Sequence, residues 1–248
     1  MADESYHRLF AECRKRANFG VVFRSALDDL AGKVDFSWVR SCVAFGTGSG
    51  EYEMELARRL LPNLRAFHAV EPDHESVKAL RVNFENGQLP GVETSVEETS
   101  LERWGGVDTP VDAVLLFNVL AYVQAADRKA LFQQLTTTYL NPGGIVVIIG
   151  SLRCVRSGFL LLMERLDVPW DDYDLMEKQM GEAGFRVVLK HDLRLVCDLS
   201  DPSDDVVKFV QLITAGRASE CEVRAAIDDI YSQPNVTIWP KKFAIFAK

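Results

Sequence analysis

Short apolar runs alternate along this chain with stretches in which apolar positions recur every three or four residues, the signatures of buried strands and amphipathic helices. Ser5 to about Leu30 follows the helical period, with Leu9, Phe10, Cys13, Val21, Val22, Phe23, Ala26, Leu27 and Leu30 available for burial and a break at Asn18-Phe19-Gly20. Cys42 to Phe45 forms a buried-strand run, then come glycines at 46, 48 and 50, then a helix with Met54, Leu56, Ala57, Leu60 and Leu61 near one face. A second strand runs from Arg65 to Glu71 and is stopped by Pro72; Asp73 then serves as N-cap of a helix reaching about Phe84. Val92–Glu97 and Asp112–Phe117 supply two more strands. Ala125–Tyr139 reads as a helix ended by Asn141-Pro-Gly-Gly144, and Ile145–Ile149 as a β-branched central strand.

Strands alternating with helices over this length predict an α/β fold, a doubly wound sheet with parallel crossovers. Ligands of such sheets bind outside the carboxyl ends of the strands, where the glycine turn, Glu71, Thr99-Ser100 and Phe117-Asn118 all fall. Past Gly150 the alternation loosens. A helix is expected at Asp172–Ala183, strand character at Phe185–Leu199 with a turn near His191-Asp192, and helices at Asp204–Ala215 and Ser219–Tyr231, the second opened by a Ser219/Glu222 capping box. A closing strand, Thr237–Ala247, contains Pro240 as a candidate interruption.

With 248 residues, 48% of them hydrophobic, the chain fits one elaborated domain spanning 1–248: a helical cap (1–35), a ligand-binding core (36–150) and additions with the closing strands (151–248). A net charge of −8 argues against nucleic acid, whose binders need clustered cations, and favours a small neutral or cationic partner. Arg14-Lys15-Arg16 reads as a solvated helix face. The five cysteines are odd in number and lack metal-like spacing, which fits a reducing compartment; Cys42 and Cys197 read as buried small hydrophobes. No signal-peptide pattern or membrane-length apolar run is seen, so a cytoplasmic monomer without membrane contact is expected.

The glycine turn carries the chemistry. Ser41-Cys-Val-Ala-Phe-Gly-Thr-Gly-Ser-Gly-Glu51 is G-x-G-x-G, with Glu51 where a dinucleotide fingerprint wants its third glycine. A carboxylate there suits the helix dipole but repels a pyrophosphate. The pattern therefore favours a nucleoside with a cationic end, such as S-adenosylmethionine, over NAD. Glu71, closing the second strand, can accept from both ribose hydroxyls. His7, His68, His74 and His191 lack metal or triad spacing, and no serine sits in a nucleophile elbow.

On Gly46–Gly50, Glu71, the Asn141-Pro-Gly-Gly144 turn and the Gly181-Glu-Ala-Gly-Phe185 turn, the chain resembles class I S-adenosylmethionine-dependent methyltransferases over about two thirds of its length. More narrowly, Val43–Glu51, Val70-Glu-Pro72, Glu98-Thr-Ser100, Leu120-Ala-Tyr-Val123 and Asp198-Leu-Ser-Asp201 are similar to the histamine N-methyltransferase family. The resemblance implies a Rossmann-like sheet of seven mostly parallel strands. It also implies a pocket for S-adenosyl-L-methionine, and for its product S-adenosyl-L-homocysteine, made by Gly46, Thr47, Gly48, Gly50, Glu71, Ser100 and Phe117. Ser76 stands where the family usually has glutamine near the ribose. Asn118 and Tyr122 fall at the amine end of the active site, as catalytic and substrate-binding candidates. Phe19 and Trp239 fall where that family offers polar contacts to its substrate, which puts histamine itself in doubt, and Trp170 lies in a lid-like region able to face substrate.

Methyl transfer from a sulfonium needs in-line approach of a lone pair, so proximity and orientation dominate. Asn118 is expected to accept a hydrogen bond from the acceptor nitrogen, with Tyr122 orienting or shielding it. The expected function is N-methylation of a small amine or imidazole-type metabolite. O-methylation of a neutral metabolite, or cofactor binding without turnover, are the alternatives.

Overall fold

The computed structural model describes residues 6–151, 158–168, 173–214, 216–232 and 238–248. Its centre is a seven-stranded sheet of β1 (Ser41–Phe45), β2 (Ala66–Val70), β3 (Glu93–Glu97), β4 (Val111–Phe117), β5 (Leu140–Ser151), β6 (Arg186–Val196) and β7 (Ile238–Ala247), in the order β3-β2-β1-β4-β5-β7-β6. The strands β1 to β5 pair in parallel, and β7 runs antiparallel between β5 and β6. This is the expected doubly wound, mostly parallel, seven-stranded sheet. The order reverses beside β1, between β2 and β4, so the glycine turn sits at the crevice where ligands of such sheets bind.

The helices are α1 (Tyr6–Lys15), α2 (Phe19–Ala31), α3 (Glu51–Leu60), α4 (His74–Glu85), α5 (Ala125–Gln134), α6 (Gly158–Arg165), α7 (Tyr173–Glu182), α8 (Asp204–Ile213) and α9 (Glu220–Tyr231). Side chains alternate across each strand, so the apolar runs divide between two faces. Cys42, Ala44 and Leu115 pack with α2, α3 and α4, whereas Val43, Phe45 and Val114 pack with α5 and α7. A third apolar cluster joins α1, α6, α8 and α9 through Leu9, Phe159, Leu162, Phe209 and Ile227. Ser219 and Glu222 close the expected capping box, and Asp73 caps α4 by accepting from Ser76 N at 2.8 Å. None of the described helices is long and apolar enough to cross a membrane.

Three expectations give way to tertiary contacts, and the expected helical cap divides: α1 joins the third cluster, while α2 lies on the sheet, because Phe23, Ala26, Leu27 and Leu30 form a stripe that the sheet buries completely. The break falls at Asn18, whose side chain accepts from Val196 N at 2.8 Å. The Asn141–Gly144 breaker lies inside β5 as a bulge: Val111 pairs with Leu140 but Ala113 with Ile145, and Gly143 takes up the excess chain at φ 79°. No turn interrupts β6 at His191-Asp192, since Phe243 and Lys242 of β7 pair with both residues. Nor does Pro240 interrupt β7; it lies one residue beyond the β5 pairing, where a missing donor is tolerated.

Candidate functional site

The three glycines of the β1–α3 turn all have left-handed backbones, with φ of 59°, 55° and 74° at 46, 48 and 50. Their surroundings differ. A Cβ at Gly46 would lie 2.8 Å from Val119 Cγ2, and one at Gly50 would run into Leu80 Cδ1. At Gly48 a Cβ would have nothing within 4 Å. Two glycines thus let the turn pack, and the middle one keeps a space open. Gly50 hands the chain directly to α3, whose first turn carries Glu51 and Glu53.

That space belongs to a cavity of about 370 Å³ running from the turn along the strand ends to β7. Gly46, Thr47, Gly48, Glu71, Ser76, Ser100, Phe117, Asn118, Tyr122 and Phe19 all line it. Gly50 does not; its contribution is the packing against Leu80. Trp170 lies outside the described residues, and Trp239 pairs with Leu195 on β7 but its side chain lies outside them too.

Glu71 is buried and does more than wait for a ribose. One of its carboxylate oxygens accepts from Gly48 N at 2.7 Å and the other from Asp73 N at 2.9 Å, so it latches the glycine turn to the start of α4. Burial raises its pKa and the two amides oppose the rise. Each oxygen keeps a second lone pair for a ligand hydroxyl. Ser76 is buried beside it, and Thr47 Oγ1 is a buried hydroxyl without a hydrogen-bond partner among the described residues. Phe117 packs edge-on against Phe23, on the α2 side of the sheet.

Glu51 lines the cavity and pairs with Arg14, 2.9 Å away. Arg14 is therefore no solvated residue: its guanidinium lies 4.4 Å from the centre of the Tyr52 ring and lines the cavity. The buried carboxylates are Glu71 and Glu53, and burial pushes Glu53 up to about 8, with Glu71 and Glu51 adding to the rise. Glu71, and Glu53 where a bound cation draws off its proton, favour a cation and disfavour a phosphate. Above them Phe19 meets Tyr52 edge-on at 4.5 Å between centroids, and Phe10, Phe159 and Phe209 continue an aromatic wall.

On the neighbouring strand end, Asn118 terminates β4 with φ 60°. Its Oδ1 accepts from Lys241 Nζ at 2.5 Å, and Ser151 Oγ lies 3.5 Å from the same nitrogen. The Asn118 oxygen expected to receive the acceptor is thus already held by a lysine. Lys241 is buried, lines the cavity, and is pushed down to about 7 by that burial. Sequence reasoning missed it. The signal was there in Lys241-Lys242: neighbours on a strand face opposite sides, so on a strand with two partners one of them must turn inward. Lys242 reaches Asp192 instead. Tyr122 sits at the rim, about half exposed, in a single 3-10 turn after β4.

These residues fit a nucleoside with a cationic end: an open glycine, an orphaned hydroxyl, a carboxylate with spare lone pairs and a second buried carboxylate. Comparison with known proteins agrees. Residues 43–144 match the family model of the methyltransferase domain, whose members draw the methyl group from S-adenosylmethionine. No curated protein matches the sequence. Among solved structures, the chain is similar to the N-methyltransferase NodS from Bradyrhizobium japonicum WM9 in complex with S-adenosyl-L-homocysteine, at 13% identity and a TM-score of 0.59, covering 98% of this chain and 97% of that one. It is also similar to magnesium protoporphyrin IX methyltransferase from Synechocystis PCC 6803 with bound SAM (11%, TM-score 0.53, 92% and 80%). A third likeness is to the [4+2]-cyclase SpnF (14%, TM-score 0.56, 91% and 80%). At such identities the likeness establishes the fold, and the domain match establishes a methyltransferase domain at residues 43–144.

Proposed function

We propose that this chain, built around a class I methyltransferase domain, is an S-adenosylmethionine-dependent enzyme that N-methylates a small amine or imidazole-type metabolite. One observation carries the reading: a single cavity joins the glycine turn and its buried carboxylates to Asn118 and Tyr122, under an aromatic wall. S-adenosylmethionine, when bound, supplies an electrophilic methyl on a sulfonium. The chain supplies the rest. Gly48 lets the backbone approach the ligand, Glu71 offers lone pairs to the ribose hydroxyls, and Ser76, Thr47 and Ser100 add polar contacts. Glu53 and Glu71 favour the cationic end. Because a thioether leaves without a proton, the main catalytic contribution is orientation in a water-poor space, and the wall of Phe10, Phe19 and Tyr52 supports that role.

The resemblance to the histamine N-methyltransferase family bears on the acceptor class. Phe19, where that family offers a polar contact, favours a flat amine or one carrying methyl groups already, held against aromatic faces. A second reading, O-methylation, is favoured by Lys241, which can withdraw the proton of an acidic hydroxyl. The cyclase among the structural neighbours keeps a third reading in view, use of the fold without methyl transfer. The net charge of −8 and the free thiols of Cys13, Cys42 and Cys197 support a cytoplasmic monomer that acts on a small molecule and not on nucleic acid. A cofactor-consumption screen over aromatic, imidazole and aliphatic amines and phenols, with mass spectrometry of products, tests the reading. An N-methylated product supports it, whereas products from phenols alone install the O-methyl reading.

A further inference from the structure

We propose that Lys241 is the base that takes up the acceptor's proton on methylation, its Nζ held at the acceptor end of the cavity by Asn118 and Ser151. The inference rests on the methyltransferase reading and adds the proton's destination to it. Three placements carry it. Lys241 is on the inward side of β7, opposite Ser151 of β5, so the sheet itself fixes its root. Its amine reaches the end of β4, where Asn118 accepts at 2.5 Å from a left-handed backbone position that aims the amide oxygen at it. And it lines the same cavity as the glycine turn, Tyr122 and Phe19. Acceptor, cofactor and lysine therefore share one cavity.

The electrostatics of that space say which form of the lysine is used. Burial already weakens its hold on a proton, and a sulfonium in the cavity would weaken it further. The groups acting on it in the opposite direction are the thiols of Cys197, just after β6, and Cys13 on α1, both buried. Glu53 and Glu71 are the buried carboxyl groups of the cavity, and they belong to α3 and to the end of β2, beside the glycine turn. An acceptor arriving as an ammonium has no nitrogen lone pair to offer, and neutral Lys241 frees one by accepting its proton. The acceptor N–H bond breaks and its proton joins the Nζ lone pair. The freed nitrogen lone pair forms the new N–CH3 bond while the C–S bond breaks, its electron pair staying on sulfur as the thioether. The lysine returns its proton to solvent before the next turnover.

The test uses the full chain and three measurements. For the wild type, kcat/KM should rise with pH through about 7 and level off, since the neutral amine is the working form. Lys241→Met, matched in length, should lose about a hundredfold at pH 7 and keep rising beyond the wild-type plateau, following the acceptor's own ionisation. Lys241→Arg, which keeps the hydrogen bonds but cannot deprotonate, should be no better than Lys241→Met. S-adenosyl-L-homocysteine affinity by calorimetry should stay within about threefold in both variants. In 15N-lysine-labelled wild type, one Nζ signal absent from Lys241→Met should titrate in the neutral range. Rescue by Lys241→Arg, an unshifted profile in Lys241→Met, or an Nζ that titrates above pH 10 overturns the proposal. A wild type with no transfer to any acceptor, but a neutral-range Nζ, overturns the methyltransferase reading instead.

Discussion

Replacing Gly48 and Gly50 by alanine, one at a time, separates what the turn does for the fold from what it does for the ligand. Both residues have left-handed backbones, φ 55° and 74°, so alanine costs about 1–2 kcal/mol in conformational strain at either. At Gly50 the new methyl also runs into Leu80 Cδ1 and lies 3.2 Å from Met54 Cε, an overpacking cost of about 1–3 kcal/mol. At Gly48 it meets no protein atom within 4 Å and projects toward the cavity. Gly50→Ala should therefore lose about 2–5 kcal/mol of stability, and Gly48→Ala only about 1–2 kcal/mol. Ligand binding should reverse the order of severity. Gly48→Ala should weaken S-adenosyl-L-homocysteine at least about tenfold, about 1.4 kcal/mol, by filling the space where the ligand meets the backbone. Urea unfolding gives the first pair of numbers and calorimetry of the folded variants the second. Equal destabilisation by the two substitutions, with affinity for S-adenosyl-L-homocysteine intact in Gly48→Ala, would refute the assignment of Gly48 as the ligand-facing glycine.

Two further outcomes follow from the buried carboxylates. Glu71→Ala removes two charge-assisted hydrogen bonds, from Gly48 N and Asp73 N; water entering the cavity can replace part of them, so a stability loss of about 1–3 kcal/mol is expected. Its affinity for S-adenosyl-L-homocysteine should fall at least about a hundredfold, as a ribose loses its acceptor, and unchanged affinity by calorimetry would remove Glu71 from the site. Glu53 holds its proton more tightly folded than unfolded, about 8 against 4.5, so the folded chain binds the extra proton between those values. Stability should thus fall as pH rises from about 5 to 8, with a limiting slope of about 1.4 kcal/mol per pH step of one. Glu53→Gln should flatten that part of the unfolding-versus-pH curve and be the more stable protein at pH 8; a parallel curve would show that Glu53 is solvated.

Most of the sheet can be read from the chain because its strands are buried on both faces. Cys42–Phe45, Ala113–Phe117 and Ile145–Ile149 are continuous apolar runs, each followed or preceded by a breaker. Helix caps are equally local: Asp73, Ser219 and Glu222 each act on an amide three residues away. Local signals mislead where distant strands overrule them. His191-Asp192 has the composition of a turn, but β7 supplies a partner for every residue there. The same strand hides Lys241, since a lysine pair near the chain's end looks like solvent-facing charge until two neighbouring strands are known. Asn118 is legible as a strand-end residue, yet its partner lies 123 positions away. Arg14 likewise reads as part of its basic run, while Tyr52 and Glu51, on a different helix, decide where it goes. For α6, Gly158–Arg165, the apolar run is present but follows a stretch without strand or helix period, so its helix is not evident from the sequence.

The central claim is that one cavity holds a methyl donor at the glycine turn and an acceptor at Asn118 and Lys241. Isothermal calorimetry of the full chain with S-adenosyl-L-homocysteine, repeated with NAD as the competing dinucleotide, tests it most directly. The account predicts one site per chain for S-adenosyl-L-homocysteine, lost in Glu71→Ala, and no displacement by NAD. Tighter binding of NAD, or S-adenosyl-L-homocysteine binding indifferent to Glu71, would contradict it.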